Sequence, residues 1–70
     1  MENIKIIIGN RINSYRKNLS ISQEELAYRS DLDRTYISSV ENGKRNISLL
    51  NIEKICNALN IKISELFKDL

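Results

Sequence analysis

Seventy residues with a formal net charge of +2 make one small domain, expected to span residues 1–70. The absence of Pro and Trp, with only two Gly, argues for helices over a turn-rich β fold. With no His and one Cys, the chain lacks the commonest general base, a zinc ligand set and an intramolecular disulfide, so no metal, cofactor or enzymatic activity is expected.

The first helix is signalled by Ile4, Ile8, Ile12, Tyr15 and Leu19, which recur on one helical face. The β-branched run Ile4 to Ile8 would also suit a strand, and Gly9 weakens a helix. The stripe continues past Gly9 to Leu19, which favours the helix. That N-terminal apolar run is too short for a signal peptide, and Lys5 interrupts it. No segment approaches the ~20 apolar residues of a transmembrane helix. A cytoplasmic protein without a membrane partner is the expectation.

Three further helices begin with the same device. Ser22 and Glu25 form a Ser-x-x-Glu capping box, with Ile21 and Leu26 as its hydrophobic staple. Asp33 is the next N-cap, with Leu32 and Ile37 at staple spacing, and Asn42-Gly43 is a stop. Ser48 caps the fourth helix between Ile47 and Ile52. Its inward face is Leu49, Ile52, Ile55, Cys56 and Leu59, and Asn60 can take the left-handed conformation that ends it. Ile63, Leu66, Phe67 and Leu70 form a last short stripe. The expected architecture is all-α, with five helices.

The charge is unevenly placed. Residues 1–10 and 47–70 each sum to zero, whereas residues 11–46 hold seven basic and five acidic side chains. This is the footprint of a phosphate-binding face. Glu24 and Glu25 fall in a first helical turn, where carboxylates suit the dipole and need no catalytic role. Asp31 and Asp33 lack the Gly and terminal Glu of a calcium loop.

Ser22 to Arg45 reads as two short helices joined by a tight turn, the pattern of a helix-turn-helix. With Asp33 as cap, Ile37 and Val40 point inward, and Arg34, Thr35, Ser38 and Ser39 occupy the exposed first two turns. Arg can pair with guanine O6 and N7, Thr can meet a thymine methyl, and Ser can donate or accept. A solvated polar face is the bland alternative. Gln23 lies at a helix N-terminus that favours anions, and Asn42, Lys44, Arg45 and Asn46 crowd the following loop, so these residues are candidate phosphate contacts. Tyr36 suits either a phosphate, through its hydroxyl, or the core, through its ring.

At these residues the chain resembles the Cro/C1-type (XRE) helix-turn-helix family of phage repressors and bacterial regulators, whose domains are lambda-repressor-like. The matching string includes Ile12, Arg16, Ser22–Ala27, Ile37-Ser38, Glu41 to Arg45, Ser48, Ala58-Leu59 and Leu66-Phe67. The segment from Glu25 to Ser38, with Arg45-Asn46, is similar to the controller proteins of restriction–modification systems. That resemblance implies base contacts from Arg34, Thr35, Ser38 and Ser39, and phosphate contacts from Gln23, Tyr36, Arg45 and Asn46. It implies a homodimer on a palindromic double-stranded operator, activating and repressing its own promoter and timing an endonuclease. It also implies a partly buried salt bridge between Arg16 and Glu41. Three positions depart from the family pattern: Ser20 and Asp31 stand where Gly is common, and Ile47 where Pro is.

A dimer is expected on energetic grounds too. Specific binders exceed their non-specific affinity by ~4–10 kcal/mol, at roughly 1–3 per base pair, which one short helix reaches only at the lower end. Ile61, Ile63, Leu66, Phe67 and Leu70 exceed what so small a core needs and are expected to form the two-fold interface. RNA polymerase is a further partner the reading admits; no small-molecule ligand is expected. Alternatives are a stand-alone or prophage repressor, an antitoxin-type regulator, or an interaction module that has lost DNA binding.

Overall fold

A computed structural model describes residues 3–70. It contains five helices: α1 (Ile4–Asn18), α2 (Gln23–Ser30), α3 (Arg34–Glu41), α4 (Leu49–Leu59) and α5 (Ile63–Leu66), with no strand among the described residues. The helical choice for the first stripe therefore holds, and the strand alternative does not.

The three anticipated N-caps are in place. Ser22 Oγ accepts from Glu25 N–H at 3.0 Å, Asp33 Oδ2 from Thr35 N–H at 2.9 Å, and Ser48 Oγ from Asn51 N–H at 3.1 Å. Asn3 caps α1 by accepting from Lys5 N–H at 2.9 Å. Each side-chain oxygen satisfies a first-turn donor that has no intrahelical acceptor. Left-handed residues end two of the helices: Asn60 after α4 (φ 58°), as expected, and Asp31 after α2 (φ 57°). Ser20 is also left-handed, at φ 58°. At Ser20 and Asp31, where the family often has Gly, the backbone thus takes the conformation that Gly would accept without strain.

The core joins Ile8 and Ile12 of α1, Leu26 and Ala27 of α2, Ile37 and Val40 of α3, Ile52, Ile55, Cys56 and Leu59 of α4, and Leu66 of α5. α2 packs on both α3 and α4, α1 packs on α3 and α5, and α4 on α5. Gly9 is a buried point of contact. A Cβ there would run into the Val40 carbonyl oxygen and come within 3.0 Å of the Glu41 carbonyl oxygen. Gly9 thus lets the α1 backbone lie directly against the end of α3, a role its low helix propensity concealed.

Three expectations about apolar residues need correction. Leu49 is 85% exposed rather than inward, because the α4 stripe that meets the core begins one turn later, at Ile52. Ile4 and Leu19, at the two ends of the α1 stripe, are about half exposed, at 54% and 44%. Leu66 is fully buried within its own chain, so it fills the core and is unavailable to a dimer partner.

Candidate nucleic-acid interface

The site is built on α2, the turn at 31–33, and α3. Asp31 N–H bonds the Tyr28 carbonyl at 3.3 Å and Leu32 N–H bonds the Ala27 carbonyl at 2.9 Å, which closes the turn. Ser30 is buried, and its hydroxyl donates to the Leu26 carbonyl at 2.7 Å. The α2–α3 joint is therefore tied by hydrogen bonds and packed underneath.

On α3, Ile37, Val40 and Glu41 face inward. At 3.6 residues per turn the opposite sector centres on Thr35, Ser39 and Asn42, with Ser38 and Arg34 on one flank and Tyr36 on the other. Arg34, Thr35 and Asn42 are exposed, and Ser38 and Ser39 are partly so. Lys44, Arg45 and Asn46 are exposed in the loop that follows. Gly43 sits in that loop with φ +72°, where a Cβ would lie 2.8 Å from Ile6 Cγ1. The loop backbone is thus pressed against α1.

Tyr36 is half-buried with its ring packed against the core, and the Arg45 guanidinium carbon lies 4.7 Å from the ring centroid. This cation–π contact holds one loop cation next to the exposed face of α3.

Arg16 and Glu41 form the anticipated ion pair, with Arg16 Nε donating to Glu41 Oε2 at 2.7 Å. Three donors converge on Glu41 Oε1: Asn13 Nδ2 at 2.7 Å, Arg16 Nη2 at 3.1 Å and Gln23 Nε2 at 3.2 Å. Burial pushes the Glu41 carboxyl up, but the hydrogen bonds from Arg16, Asn13 and Gln23, with the Arg16 charge, outweigh it and hold the group below the usual carboxylate range. The cluster ties α1 and the start of α2 to the end of α3. Asn13 was not anticipated as a member. Its signal in the sequence was its position one helical turn before Arg16. The sequence marks Gln23 only as a phosphate contact; its side chain also spends one N–H on Glu41.

The chain belongs to the helix-turn-helix family, which it matches over residues 12–66. Its close relatives there are controller proteins of restriction–modification systems, which are regulators. Control protein C.MunI from a Mycoplasma species is 55% identical over 71 residues, spanning 100% of this chain and 96% of its own. The restriction–modification controller protein C.AhdI from Aeromonas hydrophila superposes with a TM-score of 0.91 at 44% identity, covering 94% of this chain and all of that one. The controller protein C.Esp1396I, solved as a tetramer with its natural 35 base-pair operator, gives a TM-score of 0.88 at 32% identity over 97% of this chain and 90% of that one.

Proposed function

We propose that this chain is a sequence-specific transcriptional regulator of the controller type. It binds as a homodimer to a palindromic double-stranded operator in its own promoter region. There it activates at low occupancy, represses at high occupancy, and so times expression of a restriction endonuclease. It acts in the cytoplasm, without cofactor or catalytic step. The observation that carries this reading is the outward face of α3, where Arg34, Thr35, Ser38 and Ser39 stand on a helix whose other side is locked by Ile37, Val40 and Glu41.

In this reading those four residues meet base edges in the major groove. Asn42, Lys44, Arg45 and Asn46 contact phosphates on one side of the groove. On the other, Gln23 offers its backbone N–H at the α2 N-terminus and its remaining amide hydrogen. Tyr36 serves through its ring, which supports Arg45, and brings its hydroxyl to a phosphate. The dimer face comprises the exposed Ile63 and Leu70 with the partly buried Ile61 and Phe67. Two such copies would place their α3 helices about one DNA turn apart, ~34 Å.

The test is selection of bound duplexes from a random DNA pool, followed by mobility shift on the recovered sequence and sedimentation of the complex. The expected product is an inverted repeat occupied by two chains. Recovery of no preferred sequence, or of a monomer on a single site, would overturn the proposal. A promoter fusion driven by graded protein dosage should rise and then fall.

A further inference from the structure

Arg11 is outside the proposed DNA contacts, yet it joins residues far apart in the chain. Its Nη1 donates to the Leu66 carbonyl at 2.9 Å and to the Lys68 carbonyl at 2.6 Å. These acceptors lie at the C-terminal end of α5, where carbonyls lack intrahelical donors and a cation suits the dipole. Among the described residues no carboxylate forms an ion pair with Arg11. Its charge is directed at the backbone of α5.

α5 is a single turn of four residues and cannot hold itself in place. At its start Lys62 N–H donates to Glu65 Oε1 at 3.0 Å, a bond internal to the turn. Leu66 anchors it in the core, and Ile61 and Phe67, which flank it, pack partly against the same core. Arg11 adds the one side-chain hydrogen-bonded tie between the C-terminal end of this turn and α1 among the described residues.

The other end of this linkage is α3. The helix that carries Arg11 also carries Gly9, which lies against the Val40 and Glu41 carbonyls, and Asn13 and Arg16, which hold the Glu41 carboxylate. α1 is therefore a 15-residue rod with the α3 reading helix fixed to it by three residues and the apolar face of α5 fixed to it by Arg11.

We propose that Arg11 is a positioning residue that sets the spacing at which the dimer reads its two half-sites. This rests on the reading of the chain as a dimeric operator binder. The angle between α5 and α3 in one copy is applied twice across the dimer axis, so a small rotation of α5 changes the distance between the two reading helices. One inserted base pair moves a half-site by ~3.4 Å and ~35°. Only a firmly held α5 can discriminate against that.

The experiment compares the wild type with Arg11→Met, which keeps the apolar stem and removes every donor. Arg11→Gln is a second variant held to the same outcomes, and Arg11→Lys restores a cation able to donate to both carbonyls. The probes are the two-half-site duplex selected by the wild-type protein, the same duplex with one base pair inserted or removed between half-sites, and a duplex bearing one half-site. Circular dichroism and sedimentation establish that each variant is folded and dimeric.

Arg11→Met should bind the single half-site within about twofold of wild type, as expected for a site remote from the DNA contacts. Its preference for the original spacing should fall about tenfold, the loss of roughly one base-pair contact's worth of discrimination. Arg11→Lys should recover most of that preference. A wild-type spacing profile in Arg11→Met and Arg11→Gln would overturn the proposal. So would an equal loss on half-site and full-site duplexes, or a monomeric variant, either of which would make Arg11 a structural strap. A wild-type protein indifferent to spacing would remove the two-half-site reading itself, and the role of Arg11 with it.

Discussion

Glu41 carries more of the fold's electrostatics than any other side chain. It is buried, and the hydrogen bonds from Arg16, Asn13 and Gln23 together favour its anion. Its folded pKa lies below its ordinary value, so the stability it supplies is present above the unfolded carboxylate pKa, ~4.3. That stability is lost as pH falls from there through the depressed folded value. Thermal unfolding followed across this acid range should show a steep decline in the wild type and a flatter one in Glu41→Gln. Arg16→Ala, which leaves a buried carboxylate without its cation, should cost ~3–5 kcal/mol in urea denaturation, enough to unfold much of a domain this small. Under the proposed function the candidate DNA contacts divide by task. Arg34→Ala should lose ~1–3 kcal/mol on the selected operator while leaving random-sequence binding nearly unchanged, because a base contact carries the specificity. Arg45→Ala should weaken binding to all sequences and lower the slope of log K against log salt by about one. Mobility-shift titrations over a salt series separate the two, and matching specificity losses in both variants would contradict these assignments.

At the scale of the element, the helices divide into those held by local signals and those held by distant ones. Ser22, Asp33 and Ser48 bond donors two or three residues away, so the sequence alone places the starts of α2, α3 and α4. The left-handed Asp31 and Asn60 are similarly local. What the sequence conceals is contact between elements remote in the chain. Leu49 and Ile52 are both apolar and one turn apart, and only the position of α2 and α5 against α4 decides that Ile52 is buried and Leu49 exposed. Asn13 and Gln23 become partners of Glu41 only when α1 and the start of α2 meet the end of α3. The candidate base-contacting residues are legible because their exposure follows from helical periodicity once Asp33 is known to be the cap. The second duty of Gln23 is not, because it arises from tertiary packing. Gly9 is the sharpest instance. Helix propensity alone favours Ala there by roughly 1 kcal/mol. Yet Gly9→Ala would drive a methyl into the Val40 carbonyl oxygen and push α1 off the end of α3. The expected result is net destabilisation of about 1–3 kcal/mol in urea denaturation, as for other overpacked contacts. A stabilised Gly9→Ala protein would show that α1 stands further from α3 than this close approach requires.

For the whole molecule, the apolar residues near the C-terminal end must serve two ends that sequence periodicity does not separate. Leu66 is fully buried within one chain, whereas Ile63 is 46% exposed and Leu70 55% exposed. Leu66 therefore belongs to the monomer's stability and the other two to the proposed two-fold contact. Leu66→Ala should remove ~2–5 kcal/mol of core packing, and because a 70-residue domain has little to spare, circular dichroism should show a large loss of cooperative melting. Ile63→Lys places a charge on the exposed side of the same turn, where it is solvated in the monomer and buried without a partner in the dimer. The expected product is a helical chain that sediments as a monomer at micromolar concentration and melts earlier than wild type only by the share of stability that dimerisation contributed. It should still recognise a single half-site weakly, through an intact α3, and lose the cooperative gain on the inverted repeat. A dimeric Ile63→Lys protein with undiminished operator affinity would move the two-fold contact elsewhere. The exposed Leu49 and Leu50 at the start of α4 are then one apolar surface able to form it.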